Sequence, residues 1–523
     1  MTRRTFDPTP VRVRGLHYGY DHTVEGKYHF QRYNGSQGSL AQLAAYCEVT
    51  RDLKAIIQEA IDLDKTLRVH GSEWSLSTVG LAKDRLVNSK LLRLLRFTIP
   101  KALTSPSYSG DHAKLRFFEC GESIFAINQV LFRDRLSLKT SGSNDGQTIA
   151  GAMSTGTHGS AFNFGAIPDF VVGLHIVAGP TKHVYVQRSS APVMKKAFAD
   201  ALGAEFVEDD DLFNAARVSF GSFGIIQGVM IEARDLFVLH TTRFWHPFND
   251  AIKTAATTLD FSGIELSRSK LPAGAPTDRP YHFQLFFNPN ETLPSPRVSV
   301  LMMFEDDWAN WEATYKTPAW DAGQPGPGAA ALDLIGSLFD ALPAAINPFV
   351  PDLNKQMDER LKEFYVLGTL GDIFRGEKTR GKLQVTGTAL PMDRWLEALN
   401  ITLDTYRTFD TVLPVIVSSR FIKGSDSLLA FNKFDRTCTI ELDTIASPKA
   451  SEFLRKVRQN LHAAGIPFTV HWGKLDRFMT AARYRTAYGD ALTRWKAARS
   501  ALLENPDVET VFTNAFMTKL GLA

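Results

Sequence analysis

The chain has 523 residues, of which 44% are hydrophobic and 22% are charged. This balance is typical of a globular protein with a large core, and it excludes a mainly disordered or collagen-like chain. The net charge is only +3 and the three cysteines lie far apart. The composition therefore indicates no nucleic-acid partner, no disulfide framework and no thiolate metal site.

The amino terminus and the apolar segments indicate a cytoplasmic protein. Residues 1–6 open into polar, proline-containing sequence and lack the apolar stretch of a secretory signal. The longest apolar candidate, 341–351, contains three prolines and is shorter than the ~20 residues that a membrane span needs. We therefore expect no transmembrane segment.

The first third of the chain predicts alternating helices and strands. Thr50 is a candidate helix cap, because apolar residues recur at helical spacing from Leu53 to Ile61. A strand over 67–70 leads into the small-residue turn 71–75, and 115–120 predicts a further strand.

The most unusual stretch is 147–160, which is rich in Gly, Ala, Ser and Thr. Strands are predicted over 170–178 and 183–187, and a tight turn at 221–224 precedes an apolar, β-branched segment. We place a domain boundary near residue 236.

The middle of the chain, 240–460, predicts several more strands. A break rich in Pro, Gly and Ala at 318–331 precedes residues 332–346, which have roughly helical spacing. This insertion is interpreted either as a lid or as an ordinary packed helix. Residues 476–503 have helical composition.

The segment 376–383 resembles a nucleotide-binding motif in its spacing. Residues 376–383 have Walker A spacing, but Leu383 stands where a hydroxyl residue should reach Mg²⁺. The interior of the segment is also highly charged, which favours a surface hairpin. The sequence has no HExxH motif and no GxGxxG opening a helix, so zinc-protease and Rossmann interpretations lack support.

Three runs of small residues, 71–75, 147–160 and 221–224, adjoin predicted strands. Backbone N–H groups can bind a diphosphate where the chain folds tightly, and this requires residues without bulky side chains. Each run taken alone is more often a simple turn. Together they indicate a long ligand lying across several strand ends.

A family resemblance rests on these runs. Residues 147–159, with Gln-Thr-Ile-Ala-Gly followed by Ser-Thr-Gly-Thr-His-Gly, resemble the signature of the vanillyl-alcohol oxidase (PCMH) type of FAD-binding flavoproteins. Within that family the chain is most similar to the gulonolactone, arabinonolactone and alditol oxidases. Residues 220–226 resemble the third flavin-contacting segment, and 471–474 resemble the family's His-Trp-Gly-Lys motif.

The resemblance implies an α+β fold with a two-part FAD-binding domain, formed by 1–235 and by 461–523 returning to it. An α+β substrate or cap domain would be inserted at 236–460. The implied cofactor is FAD, with no metal. The implied FAD-binding residues are His70, Gly71, Ser72, Glu73, Trp74, Ser75, Thr148, Gly151, Ser154, Thr155, Thr157, His158, Gly159, Gly165, Ala166, Ile167, Gly221, Gly224, Ile225 and Ile226.

Two departures from the family pattern matter. Many relatives carry a histidine, joined covalently to the flavin, at the position of Trp74. An indole cannot take that role, so we expect non-covalent FAD, with His70 as a structural histidine. Relatives often show Glu-x-Arg where this chain has Ser418-Ser419-Arg420. The missing glutamate predicts a less polar substrate pocket.

The resemblance implies oxidation of a CH–OH group by hydride transfer to flavin N5, with O₂ as the electron acceptor. Lys474 or Arg420 would stabilise negative charge on the flavin or on the substrate oxygen. Ser418 stands at the position of the lost carboxylate, facing the substrate. His471 is either the proton-accepting group or a hydrogen-bonded structural residue.

Three alternatives stay open. The substrate could be larger and apolar, such as a sterol, a terpenoid or a secondary metabolite, which the 36 phenylalanines and the apolar insertion at 326–350 favour. The electron acceptor could differ from O₂, as in a dehydrogenase. The chain could also be a flavin-binding scaffold without redox activity.

Overall fold

The structure, a computed structural model, describes residues 4–14, 21–30, 39–93, 96–290, 296–317, 361–376, 383–503 and 505–523. In these ranges the strands are β1 (Arg4–Asp7), β2 (Val11–Arg14), β3 (Asp21–Val24), β4 (Gly26–Phe30), β5 (Leu67–His70), β6 (Arg85–Asn88), β7 (Arg96–Thr98), β8 (Leu115–Glu119), β9 (Leu136–Ser137), β10 (Val171–Val177), β11 (His183–Gln187), β12 (Glu205–Glu208), β13 (Ile225–Glu232), β14 (Arg234–Asp235), β15 (Phe237–Pro247), β16 (Pro280–Phe287), β17 (Arg297–Asp307), β18 (Phe364–Thr369), β19 (Leu383–Pro391), β20 (Val415–Lys423), β21 (Arg436–Ile445) and β22 (Thr469–Val470). The α-helices are α1 (Ser39–Asp62), α2 (Ile124–Arg133), α3 (Ile149–Ser154), α4 (Lys196–Leu202), α5 (Asp210–Ala216), α6 (Asp250–Thr258), α7 (Leu370–Ile373), α8 (Trp395–Arg407), α9 (Pro448–Ala463), α10 (Ala481–Tyr488), α11 (Asp490–Leu503), α12 (Pro506–Val511) and α13 (Ala515–Leu520).

Three larger sheets organise the described strands. A four-stranded sheet has the order β1-β4-β6-β5, and a six-stranded sheet has the order β12-β11-β10-β13-β8-β7. An eight-stranded sheet, in the order β18-β15-β17-β16-β20-β21-β19-β22, takes every described strand from Phe237 to Val470. The mixed helix-and-sheet class expected from the sequence is confirmed.

The first long helix differs from its prediction at its amino end. Helix α1 begins at Ser39, so Thr50 lies inside it and caps nothing. The Thr50 hydroxyl instead donates to the carbonyl of Tyr46, one turn earlier, and to Gln227. The apolar face is as expected, because Leu53 and Ile57 are fully buried.

The small-residue run 147–160 contains a helix that the sequence pattern did not predict. Helix α3 is only six residues long, and the Thr148 hydroxyl caps it by accepting from the Gly151 N–H. The buried side chains of Ile149 and Met153 hold it against the core.

The C-terminal residues return to the amino-terminal part of the fold. The backbone N–H of Leu76 donates to the Gly473 carbonyl at 2.7 Å. Trp495 and Arg499, both on α11, donate to the carbonyls of Val218 and Ser222. These bonds hold the turn at 221–224 in place from a distant part of the chain.

Several predicted features lie outside the described residues. These are the break at 318–331, the helical spacing over 332–346, the apolar run 341–351 and most of the charged segment 376–383. Within the described ranges, no helix combines the length and apolar character needed to cross a membrane.

Candidate active site

Most of the predicted site residues line one cleft. The empty space of this cleft, including the open solvent at its mouth, is about 1630 Å³. The predicted residues that line it are His70, Gly71, Ser72, Glu73, Trp74, Ser75, Thr148, Gly151, Ser154, Thr155, Thr157, His158, Gly221, Gly224, Ile226, Arg420, His471 and Lys474.

Six predicted residues lie behind this lining rather than in it: Gly159, Gly165, Ala166, Ile167, Ile225 and Ser418. Ile167 and Ile225 are buried in the core. A Cβ at Gly159 would lie 2.2 Å from the Ser141 carbonyl oxygen, so this glycine permits close backbone packing. Ser418 is fully buried on β20.

The first two runs of small residues touch each other. A Cβ at Gly71 would lie 2.3 Å from the Thr148 hydroxyl oxygen, and a Cβ at Gly146 would lie 2.5 Å from the Trp74 ring. Larger side chains at these glycines would separate the loop 71–75 from the run 147–160. Glu73, within the loop 71–75, has a φ of 58°. This left-handed backbone conformation is rare outside glycine and is often found at ligand sites.

The third turn also needs its glycines. Phe220 and Gly221 have φ values of 55° and 68°, and Gly224 has a φ of 90°. A Cβ at Gly224 would lie 2.4 Å from the Val177 carbonyl oxygen. The Arg68 guanidinium donates to the Gly221 carbonyl at 2.9 Å, which ties this turn to the strand that precedes the first loop.

His70 has a local partner. Its Nδ1 lies 2.9 Å from a carboxylate oxygen of Glu73, three residues later. Burial lowers the pKa of His70, and the Glu73 carboxylate only partly opposes this. This contact within the loop fits the structural role predicted for His70.

The lining of the cleft includes a buried carboxylate among positive groups. An oxygen of Glu441 lies 2.9 Å from Lys474 Nζ and 3.3 Å from His158 Nε2. The other oxygen lies 3.5 Å from Arg420. Burial by itself would raise the pKa of Glu441, but Arg420 and Lys474 outweigh burial and hold this pKa well below its usual value. Glu441 is therefore ionised.

Strand register creates this cluster. Glu441 on β21 is paired with Ser418 on β20 on one side and with Gly387 on β19 on the other. A Cβ at Gly387 would lie 3.2 Å from both His471 and Lys474, so this glycine lets the His-Trp-Gly-Lys segment pack against the sheet. Arg420 also donates to the Ser143 hydroxyl.

The expectation of a less polar pocket is wrong. Position 418 lacks a carboxylate, but its cross-strand partner Glu441 supplies one, and Asp443 supplies a second in the same cleft. Burial, with a contribution from Glu441, raises the pKa of Asp443 to about 7, against the opposing effects of Lys474 and Arg420.

The pKa of His471 does not suit the role of base that the sequence suggested. Burial, with further contributions from Lys474 and His158, lowers the pKa of His471 well below its usual value. Its Nδ1 accepts a hydrogen bond from the Gly473 N–H at 3.0 Å. His471 is thus a neutral imidazole that already uses one nitrogen within its own loop.

The lining also contains residues that were not predicted from the sequence, among them Ser143, Asn144, Gln147, Val385, Glu441 and Asp443. For the two acids a signal was available. In β21 the apolar Ile440 and Leu442 alternate with Glu441 and Asp443, and alternation of this kind places both acids on one face of a strand. Within the described ranges, no group of three or more His, Cys, Asp or Glu residues could hold a metal.

Comparison with known proteins agrees with the motifs. No model of a protein family matches the chain. L-gulono-1,4-lactone dehydrogenase of Mycobacterium tuberculosis is 25% identical over 475 residues, covering 90% of this chain and 93% of the relative. D-arabinono-1,4-lactone oxidase of Yarrowia lipolytica is 30% identical over 203 residues, covering 39% of this chain and 34% of the relative.

Among solved structures, cholesterol oxidase from B. sterolicum has a TM-score of 0.67 at 14% identity, covering 99% of this chain and 97% of that one. A second structure of the enzyme, a mutant, has a TM-score of 0.65 at 13% identity. This likeness shows the fold, and the two lactone enzymes are similar in sequence over 90% and 39% of the chain. The chain is thus similar in sequence to sugar-lactone oxidoreductases and in fold to cholesterol oxidase, and it is an FAD-dependent oxidoreductase.

Proposed function

We propose that the enzyme oxidises a CH–OH group of a small, hydroxyl-rich molecule such as a sugar lactone or polyol, using non-covalently bound FAD. One observation carries this proposal: the carboxylate of Glu441, with Arg420 and Lys474, lies in the same cleft as the three small-residue bends. The bends fit a dinucleotide, and the charged cluster fits a polar substrate beside it.

The described residues fit FAD on structural grounds. The loop 71–75 and the run 147–160 approach so closely that a Cβ at Gly71 would collide with Thr148, as a backbone cradle for a diphosphate requires. The cleft also contains a polar atom that still lacks a partner, the Oε1 of Gln147. We propose that the bends at 71–75, 154–158 and 221–224 hold FAD.

The domain division predicted from the sequence is part of this proposal. The eight-stranded sheet takes the described strands from Phe237 to Val470, which supports a cap domain at 236–460. The bonds from α11 to Val218 and Ser222 support assignment of 461–523 to the FAD-binding domain.

FAD, when bound, accepts a hydride from the substrate carbon. The chain's own groups do the rest of the work. Arg420 and Lys474 attract and orient the substrate oxygen, and they stabilise negative charge that develops on it. Glu441 keeps these two cations in place through contacts of 3.5 and 2.9 Å.

The charged cluster favours a small hydroxylated substrate over a sterol. A large apolar surface placed against ionised Glu441, Arg420 and Lys474 would remove their remaining hydration without offering hydrogen bonds, which is costly. Hydroxyl groups donate to the carboxylate and accept from the cations. The lactone enzymes found by sequence similarity support the same choice.

We also propose O₂ as the electron acceptor, which the oxidase relatives support. Air-equilibrated enzyme with substrate is expected to form one H₂O₂ per product molecule. Turnover only with an artificial dye, and none with O₂, would assign a dehydrogenase instead.

The proposed function is tested by anaerobic flavin bleaching. L-gulono-1,4-lactone, D-arabinono-1,4-lactone and sorbitol are each compared with cholesterol as the apolar alternative. Bleaching by a lactone or polyol supports the proposal, and bleaching by cholesterol alone contradicts it. Acid precipitation of the yellow protein tests the attachment, since non-covalent FAD goes into the supernatant and covalent flavin stays in the pellet.

A further inference from the structure

A second carboxyl group lies beside the charged cluster. Asp443 and Glu441 are two positions apart on β21, so both side chains leave the same face of the sheet. Asp443 is only 3% exposed and lines the cleft. Its Oδ1 has no hydrogen-bond partner among the described residues. A buried acceptor without a partner is costly, and a hydroxyl of a bound substrate would satisfy it.

We propose that Asp443 is the catalytic base that accepts the hydroxyl proton of the substrate, an inference that rests on the proposed oxidation of a CH–OH group. The O–H bond breaks and its proton moves to the Asp443 carboxylate. The C–H bond breaks and its electron pair leaves, as hydride, to FAD. A carbon–oxygen double bond forms, and the step needs no other reactant.

The other titratable groups of the cluster fit the role less well. Glu441 is held ionised by Arg420 and Lys474, so its pKa is too low for efficient proton abstraction. The pKa values of His471 and His158 are both lowered, mainly by burial. The Nδ1 of His471 also accepts a hydrogen bond from the Gly473 N–H.

The surroundings of Asp443 give it a suitable proton affinity. Lys474 faces it from the segment after β22, Arg420 from β20 and Glu441 from its own strand, while β19 places the apolar Val385 opposite it. Burial and Glu441 raise its pKa to about 7, with the two cations opposing. A general base works best when its pKa lies near the working pH.

The test compares Asp443→Asn with wild-type holoenzyme. The substitution keeps size and shape, and it matches the protonated state of the buried acid. We expect the rate constant of anaerobic bleaching to fall by ~100-fold or more, the range of general-base catalysis, with FAD still bound. Glu122→Gln is the matched control, since Glu122 is also a buried acid whose pKa burial raises to about 7, but it lies outside the cleft lining.

A second measurement does not depend on turnover. The infrared absorbance of protonated carboxylic acids should fall in wild-type holoenzyme as pH rises through about 7. The difference between wild type and Asp443→Asn isolates the band of Asp443, because Glu122 and Asp145, whose pKa values are also about 7, contribute equally to both proteins. The wild-type bleaching rate should rise about tenfold per pH unit below this pKa and level off above it, whereas the residual rate of the variant should not show this rise.

The outcomes separate the two proposals. Bleaching of Asp443→Asn within threefold of wild type, or infrared difference spectra without an Asp443 band, would overturn the role of Asp443 and leave the proposed function intact. Wild-type protein that no CH–OH substrate bleaches would contradict the proposed function and remove the step assigned to Asp443. An unchanged pH profile in the variant would also count against the base.

Discussion

Removal of the Glu441 carboxylate is the sharpest test of the charged cluster. Glu441→Gln keeps the size of the side chain but leaves the guanidinium of Arg420 and the ammonium of Lys474 without their shared anion. With the two cations at +2 and Glu441 at −1, the local charge is +1 while Asp443 is protonated, and the variant raises it to +2. Breaking a buried pair in this way typically costs ~3–5 kcal/mol.

The assay is urea unfolding of the holoenzyme at pH 6, where Asp443 is mainly protonated in the wild type. Glu452→Gln serves as the control, because Glu452 and Lys449 form an exposed pair at 3.3 Å, and such pairs contribute ~0–1 kcal/mol. We expect Glu441→Gln to lower the free energy of unfolding by about 3 kcal/mol or more and the control to leave it almost unchanged.

The size of this loss should depend on pH. Glu441 helps to raise the pKa of Asp443, so the variant lowers that pKa. Once Asp443 is ionised it replaces part of the missing negative charge, and the wild type then contains two carboxylates that repel each other. The loss should therefore be smaller at pH 8 than at pH 6. A loss at pH 6 equal to that of the control would refute the reasoning.

Three further predictions follow from the packing. Gly71→Ala should weaken FAD binding and raise its dissociation constant at least tenfold in a fluorescence titration, because the new Cβ would lie 2.3 Å from the Thr148 hydroxyl. Trp472→Phe should lower the free energy of unfolding by ~1–3 kcal/mol in urea, since the buried Leu429 carbonyl would lose the indole N–H that donates to it at 2.8 Å. The free energy of unfolding of Asp443→Asn should increasingly exceed that of wild type as pH rises from 3.8 to about 7. The reason is that Asp443 ionises near pH 3.8 in the unfolded chain but only near pH 7 in the folded protein. Parallel curves of unfolding free energy against pH for the two proteins would contradict this prediction.

The cofactor half of the site could be predicted from local sequence. Gly71 and Gly224 occupy positions where a side chain would collide with Thr148 and Val177, which are distant along the chain, but the small residues themselves can be recognised in the local sequence. The Gly, Ser and Thr runs therefore indicated the loops, and the structure brings all three to one cleft. The short helix α3 within the second run escaped prediction, and five residues predicted to bind FAD lie outside the cleft lining: Gly159, Gly165, Ala166, Ile167 and Ile225.

The substrate half could not be predicted in the same way. Ser418 indicated the loss of a carboxylate, but the sequence alone does not show that Glu441 is its partner on the next strand. The same holds for His471, whose basicity depends first on burial, where its ring packs against the distant His158 and Phe431. These properties come from distances between residues that are far apart in the chain.

The amino-acid sequence by itself indicated the tight bends, and through them the resemblance to FAD-binding flavoproteins, because small residues that permit a tight bend can be recognised in the local sequence. Only the tertiary structure decided the charges of the substrate pocket. Strand register places Glu441 and Asp443 beside Arg420 and Lys474, and burial then sets which of these groups carries a proton, since desolvation and neighbouring charges control proton affinity.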